Sequence, residues 1–537
     1  MGPKANLDDL PDAELHDLRE AGFEGIYIMG LFKTGALAKA MAIERLVKED
    51  PTVDETAVCA SPYAISDYSV DEHYGGDQAL ARLRSRMHAQ GLRLFLDFVP
   101  NHMAVDHPWT GKRPELLIQG TEADLENAPQ NWFRVGDKHI FAHGRDPYFD
   151  AWEETVQLNY GHPELRTEMC SVLAKIAGMC DGVRCDMGNL LLPEVLEKTW
   201  GANLTPTDGA KKVTGAFFPD AIKVARAVNP DFLVMGEVFW GHDPELQEQG
   251  FDLTFDKAFY DTLVAGKGAH VVDHLKLRTG ADPSMAVRYL ETHDEERATE
   301  VFASKADLEE EGCTDSAPSQ HQAAAVLAYT CPGAKFLHDG QMQGRRKKMS
   351  LYSNQLPKER RDPEASMLYA NLLERVMTRP EVIDGEWAMC QTAPSMDNNP
   401  SYLNVVSYCC WDEDGNAIFV VVNYSDQHST AHVVLPDGVR VGSRTRPVPS
   451  SMRFSEDLRV SSFTSAHGKA VTQEGPSVLM RDLITPAWFE RKRSVLMGQH
   501  NGVWFSLAPW QAHVFDLSML GGSVAPPPPA EEAATAV

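Results

Sequence analysis

Short apolar runs alternate with amphipathic stretches between Gly22 and about Gly344. Residues 25–30 (GIYIMG), 92–99 (LRLFLDFV), 182–186 (GVRCD), 232–239 (FLVMGEVF), 286–294 (AVRYLETHD) and 334–340 (AKFLHDG) read as buried strands, with a weaker candidate near 251–255. Helix-like periodicity fills the gaps at 77–90, 163–179 and 218–228, and Leu10, Leu15 and Leu18 share one face of an earlier helix. Strands alternating with helices predict a parallel sheet covered on both faces, an α/β barrel. Residues 101–158 are irregular and rich in Pro, Trp and His, and are expected to form a small inserted subdomain.

The pattern changes near residue 398. Two strand-like runs flank Asp414-Gly415, a strong hairpin signal, and further short strands follow to Phe515. The expected division is a barrel domain over 1–397, an antiparallel β-domain over 398–520 and a disordered Pro/Ala/Glu tail over 521–537. A long Ser-rich loop at 442–475 is expected within the β-domain, and 308–320 is expected to be an acidic surface insertion in the barrel domain.

Composition narrows the partners. Acidic residues outnumber basic ones, 77 to 50, giving a formal charge of −27. That field repels polyanions, so neither nucleic acid nor an anionic membrane surface is an expected partner. The nine cysteines are dispersed without a CxxC spacing, which suits a reducing compartment. No apolar signal segment opens the chain and no run is long enough to span a membrane, so a cytoplasmic location is expected.

Four strands end in a carboxylate: Asp97, Asp186, Glu237 and Asp294. Barrel enzymes place their reactive groups at such C-terminal strand ends. Burying four carboxylates on one face is costly unless they are paired or used. Arg184 shares a face with Asp186 and is expected to hold it ionised, as a nucleophile requires. Val238, Phe239 and Trp240 surround Glu237 with apolar groups that would keep it protonated as a general acid. A carboxylate opposite a carboxylic acid is the equipment of retaining glycoside cleavage. Magnesium-assisted enolate chemistry competes poorly, because Arg184 would face the metal and no strand-end lysine base stands out. Metal-dependent amide hydrolysis needs an HxH pair on an early strand, and none occurs.

Taken together these residues resemble the α-amylase superfamily, glycoside hydrolase family 13, over roughly residues 20–515. Asp97-Phe98-Val99-Pro100-Asn101-His102 resembles the family's strand-3 motif, and Gly182-Val183-Arg184-Cys185-Asp186 its GxRxD motif. Glu237 matches the strand-5 glutamate, and His293-Asp294 the strand-7 pair. The resemblance implies Asp186 as nucleophile, Glu237 as acid/base and Asp294 as transition-state stabiliser. It also implies that Tyr63 stacks on the sugar at the cleavage subsite, whose hydroxyls meet His102 and His293. Arg184 and Trp240 join the expected substrate-binding set, Trp240 being equally readable as core. Asp97 is expected to partner Arg184, Asp67 to be a similar internal partner, and Asn101 to support the site. The basic run 345–348 reads as a solvated face.

Two departures from the family follow. Its first strand has no counterpart, so the expected fold is a (β/α)8 TIM-type barrel lacking that strand and open at a seam, followed by the antiparallel C-terminal β-domain. An incorrect start of the reading frame or a partly degenerate domain is the expected explanation. Asn189 and Leu190 stand where many amylases carry Lys-His, so calcium is not expected, and no metal or other cofactor is assigned. The expected function is retaining hydrolysis of α-glucosidic bonds in an α-glucan or α-glucoside. Transglycosylation or isomerisation on the same carboxylates is the alternative, and a non-catalytic amylase-like binding protein the rival from another class.

Overall fold

Seven parallel strands pair side by side in chain order: β1 (Gly25–Tyr27), β2 (Arg93–Phe98), β3 (Gly182–Cys185), β4 (Leu233–Gly236), β5 (Leu253–Phe255), β6 (Ala286–Arg288) and β7 (Ala334–Lys335). This computed structural model describes residues 5–201, 203–204, 215–277, 280–303, 319–441, 477–485 and 487–521. The Ser-rich loop expected at 442–475, most of the acidic insertion and nearly all of the tail lie outside those residues.

Every strand of the sheet falls inside an apolar run read from the sequence. Central strands are buried on both faces, as a parallel sheet requires: β3 and β6 are buried throughout. On β2, Leu94, Leu96 and Phe98 are inaccessible to solvent. Burying each such side chain contributes roughly 2 kcal/mol before entropy is counted. The strands β1 and β7 differ. Each pairs on one side only among the described residues, and both are half-exposed rather than buried. The sheet is thus an open, curled half-barrel of the TIM type, with edges at β1 and β7. Tyr27 and Phe336, at those two edges, bring their rings to 6.5 Å.

Helices α1 (Asp12–Glu20), α2 (Gly76–Ala89), α3 (Pro163–Met179), α4 (Phe218–Val228) and α5 (Lys257–Val264) connect the strands. Proline at the first position of α3 starts it where its missing N–H costs nothing. Leu165, Met169, Leu173 and Ile176 then recur at helical spacing and form its buried face. The segment after β2 is more ordered than its composition suggests. Two antiparallel pairs stand within it, His102–Ala104 with Thr155–Gln157 and Trp132–Val135 with His139–Ala142.

The chain divides into two compact units that interleave in sequence: 1–264, 277–301 and 333–366 form one, and 265–276, 302–332 and 367–537 the other. The second contains two antiparallel sheets. One is ordered β8-β10-β11-β16-β13-β14 and the other β9-β12-β15. Their strands are β8 (Glu386–Met389), β9 (Gln391–Pro394), β10 (Val405–Trp411), β11 (Ala417–Asn423), β12 (Ser429–Val434), β13 (Ser477–Asp482), β14 (Trp488–Lys492), β15 (Val503–Leu507) and β16 (Ala512–Gly521). The expected hairpin is β10–β11, and Gly415 supplies its positive φ of 79°. Cys409, Phe419, Val421 and Phe515 belong to the unit's apolar core, and the apolar helix Gln320–Thr330 is also part of this unit.

Candidate active site

Strand register assembles the site. Asp97 on β2 is paired with Arg184 on β3, and Cys185 with Gly236 on β4. One step beyond each strand stand Asp186 and Glu237, whose amides continue the ladder to Phe98 O and Cys185 O at 2.8 and 3.0 Å. Met187 then turns the chain with φ at 43°, a left-handed conformation uncommon for a side chain of its size. That turn aims its amide at Glu237 Oε2, 2.8 Å away.

The Arg184 guanidinium is the electrostatic centre. It donates to Asp186 Oδ1 at 2.5 Å through Nη1 and reaches Glu237 Oε2 at 2.7 Å and Asp294 Oδ2 at 3.8 Å through Nη2. Its side chain is only 4% exposed. Burial pushes Glu237 up to about 7, against the pull of Arg184 and with repulsion from Asp186 and Asp294 adding to the rise. Asp186 departs from expectation: burial outweighs Arg184 and lifts it to about 6. Asp294 moves the other way. Burial opposes its charge, but the His293 hydrogen bond and the His293 and Arg184 charges outweigh that and lower it.

His293 Nε2 lies 2.8 Å from Asp294 Oδ2 and 2.5 Å from the Tyr63 hydroxyl, and the Tyr63 ring lies 5.2 Å from the Arg184 guanidinium carbon. Arg184, Glu237, His293 and Asp294 line an open cleft of about 440 Å³, together with Phe239, Phe255 and Tyr289. Asp186 and Tyr63 each sit one hydrogen bond from that wall, through Arg184 and His293.

Other expected site residues are placed differently. Although the two residues are neighbours in the ladder, the Asp97 carboxylate makes no ion pair with the Arg184 guanidinium; it accepts from the Tyr27 hydroxyl and from Gly30 N at 2.7 Å. His102 makes no bond to the cleft residues. It is buried against Trp152, 3.3 Å from the Asn101 amide, and burial pushes it down to about 3. Asn101 is locked to Gln157, whose Nε2 donates to its Oδ1 at 3.0 Å. Asp67 is exposed and meets Lys175 at 3.8 Å, so it is not an internal partner. Trp240 is 42% exposed, which excludes the core reading.

The basic run is more than a solvated face. Lys348 Nζ donates to the Asp294 carbonyl at 2.7 Å and lies 3.5 Å from Glu296, while Arg346 lies 3.5 Å from Glu300. The carbonyls of Lys347 and Arg345 accept from Arg297 and Thr299. The run therefore braces the loop that carries Asp294. Neither this brace nor Tyr27 was singled out in the sequence. Tyr27's signal was a lone hydroxyl inside an apolar strand.

One group of potential metal ligands occurs among the described residues, Glu194, His242 and Glu245, with ligand atoms within 4.8 Å of one another. An imidazole and two carboxylates do not match the six to eight oxygens calcium takes, and the Asn101 oxygen is already engaged by Gln157. Among the described residues, no helix is long and apolar enough to cross a membrane.

Comparison with known proteins gives a consistent picture. The sequence model of the alpha amylase catalytic domain matches residues 13–371. The chain is 24% identical over 386 residues to alpha-amylase MalA of Haloarcula japonica, covering 70% of this chain and 49% of that one. It is 25% identical over 207 residues to a cyclomaltodextrinase of Geobacillus thermopakistaniensis, covering 38% and 30%. The chain thus spans half or less of the length of these two relatives. A 26% match over 126 residues, 21% of this chain and 18% of that one, links it to an amino acid transporter heavy chain of Mus musculus. The fold of an alpha-amylase from Geobacillus thermoleovorans superposes with a TM-score of 0.59 at 16% identity, over 97% of this chain and 94% of that one.

Proposed function

The chain belongs to the α-amylase catalytic-domain family, and on that premise we propose that it cleaves α-glucosidic bonds of α-glucans with retention, by double displacement. Relatives in the comparison include a transporter heavy chain as well as hydrolases, so family membership alone does not carry the reading. One observation does: Asp186 and Glu237 occupy the two arms of a single buried guanidinium, with Asp294 beside them. Two carboxyls sharing one fork suit the spacing of roughly 5 Å that direct attack requires, rather than the wider gap that admits a water.

Glu237, held protonated by burial, donates to the glycosidic oxygen as the bond breaks. Asp186 attacks the anomeric carbon from the opposite face and forms a β-glycosyl ester. Its elevated proton affinity makes it a better nucleophile than an exposed aspartate, while the Arg184 contact still favours the anion. Asp294 keeps its charge under His293, Arg184 and Lys348, and offsets the positive charge that develops on the ring. Water then enters, Glu237 takes its proton, and the ester is released with the original configuration.

The test is turnover of 4-nitrophenyl α-maltoside and maltooligosaccharides by the wild type and by Asp186→Asn, with the first-formed anomer followed by proton NMR. Release of the α-anomer that disappears in the variant is expected. A β-anomer, or undiminished release by Asp186→Asn, would refute the assignment.

A further inference from the structure

Glu237 is gripped at three points by the residues that end β3 and follow it. Its amide donates to Cys185 O at 3.0 Å, its carbonyl accepts from Gly188 N at 2.9 Å, and its side-chain Oε2 accepts from Met187 N at 2.8 Å. The grip depends on the left-handed backbone of Met187, φ 43° and ψ 45°, from which the short helix Gly188–Leu191 starts. Such a conformation is disfavoured for a residue with a side chain and persists only where its surroundings impose it. Here the Met187 side chain packs partly buried against the barrel core, and Met187 O accepts from Leu190 N at 2.9 Å. The two oxygens of Glu237 are left unequal. Oε2 faces two N–H donors, Met187 N and Arg184 Nη2, the latter at 2.7 Å. The carbonyl oxygen of a carboxylic acid accepts such donors, whereas a hydroxyl oxygen there would turn its own proton toward them. No hydrogen bond from the described residues reaches Oε1, and Glu237 lines the cleft.

We infer that Met187 is a positioning residue for the acid: its backbone N–H, together with Arg184, reserves Oε2 of Glu237 as the carbonyl oxygen, so that the proton delivered to the glycosidic oxygen sits on Oε1. The inference rests on the proposed glucan-cleaving activity and names the atom that performs its first step. In that step the Oε1–H bond breaks as its proton passes to the leaving oxygen, whose bond to the anomeric carbon breaks while Asp186 forms the ester. The charge left on Glu237 is then met by the Met187 N–H, a donor that favours the carboxylate. In the second step Oε1 takes a proton back from water. Met187 is also the covalent neighbour of Asp186, so one turn of the chain sets both carboxyls.

The experiment compares Met187→Gly, which keeps the N–H and accepts a positive φ, with Met187→Val, whose branched side chain opposes it. Two substrates separate positioning from general damage: maltoheptaose, whose leaving sugar needs the proton, and α-maltosyl fluoride, whose fluoride leaves with little help. The reading is kcat/KM, which reports the first irreversible step. In Met187→Val it is expected to fall at least about tenfold for maltoheptaose and less than about twofold for the fluoride. The alkaline limb of that variant's maltoheptaose profile should move to higher pH, because a donor that favours the carboxylate is gone. Met187→Gly should stay within about threefold of the wild type on both substrates. Equal losses on the two substrates, or an alkaline limb that stays in place, would overturn the inference. Hydrogen exchange covers the case in which Met187→Val does not fold. Glu237→Ala should speed exchange of the Met187 amide at least about tenfold relative to that of Asp186, which donates to Phe98 O, and an unchanged ratio would overturn the inference. Should the wild type turn over neither substrate, the proposed activity fails, while the exchange comparison still decides the clasp on its own.

Discussion

The pH dependence of kcat/KM follows from the two buried carboxyls. Catalysis needs Asp186 ionised and Glu237 protonated together. With Asp186 near 6 and Glu237 near 7, that form exists in a narrow window. At pH 6.5 about three-quarters of each group is in the required state, so roughly 0.6 of the enzyme is competent. At pH 5 and at pH 8 one of the two is wrong in about nine molecules of ten, and competence drops to roughly 0.1. The expected profile is a bell centred near pH 6.5, about sixfold lower at pH 5 and 8, with each limb approaching tenfold per unit beyond. The two limbs belong to the pair as a unit, since the groups interact through Arg184. The assay is stopped-time release from 4-nitrophenyl α-maltoside under kcat/KM conditions in buffers of constant ionic strength. In Glu237→Gln the alkaline limb should vanish along with most activity toward unactivated maltooligosaccharides. A wild-type profile flat from pH 5 to 8, or one falling already above pH 5, would refute burial as the dominant influence on these groups.

The same shifts predict stability. A carboxyl whose proton affinity is raised by folding binds protons in the native state that the unfolded chain has already lost, so stability declines as pH rises from about 4.5 to about 7. Glu237→Gln removes that contribution, and its thermal midpoint should fall less between pH 5 and 8 than the wild type's; parallel curves by scanning calorimetry would contradict this. Tyr27→Phe takes one of two donors from buried Asp97 and should cost about 1–3 kcal/mol in urea unfolding, whereas no change would mean that Asp97 does not depend on that bond. Lys348→Met should lower kcat roughly tenfold with little change in KM, and Lys348→Arg should restore most of it. An equal loss in both variants would point to a purely structural role.

What the sequence disclosed was the arrangement along strands, because apolar runs and their terminal carboxylates depend on neighbours one or two residues apart. All seven barrel strands and the placement of Arg184 beside Asp186 belong to that class. Misreadings came from distant partners. Asp67 sits in an alternating stretch, yet irregular pairing with Phe32–Thr34 shifts the register and turns it outward. His102 follows a familiar motif, but its short strand pairs with Thr155–Gln157, more than fifty residues on, and leaves the ring against Trp152. Asp97 accepts from Tyr27 on β1 and from Gly30 just beyond it, not from the arginine beside it on the adjoining strand. The Asp186 shift was invisible because charge neighbours can be read from spacing, whereas depth of burial cannot.

These features share one electrostatic cause. A single buried guanidinium cannot neutralise Asp186, Glu237 and Asp294 at once, and Asp97 lies on the adjoining strand. The fold resolves the excess unequally. Asp97 is satisfied by neutral donors, Asp294 by His293 with Lys348 behind it, and Asp186 by the closest arm of Arg184. Glu237 shares the second arm of Arg184 at 2.7 Å, but burial, with repulsion from Asp186 and Asp294, outweighs that pull, so it is the group that retains a proton. The acid is therefore set by burial and by the two carboxylates beside it, and a variant that adds a cation near Glu237 should impair catalysis while leaving the remaining contacts intact.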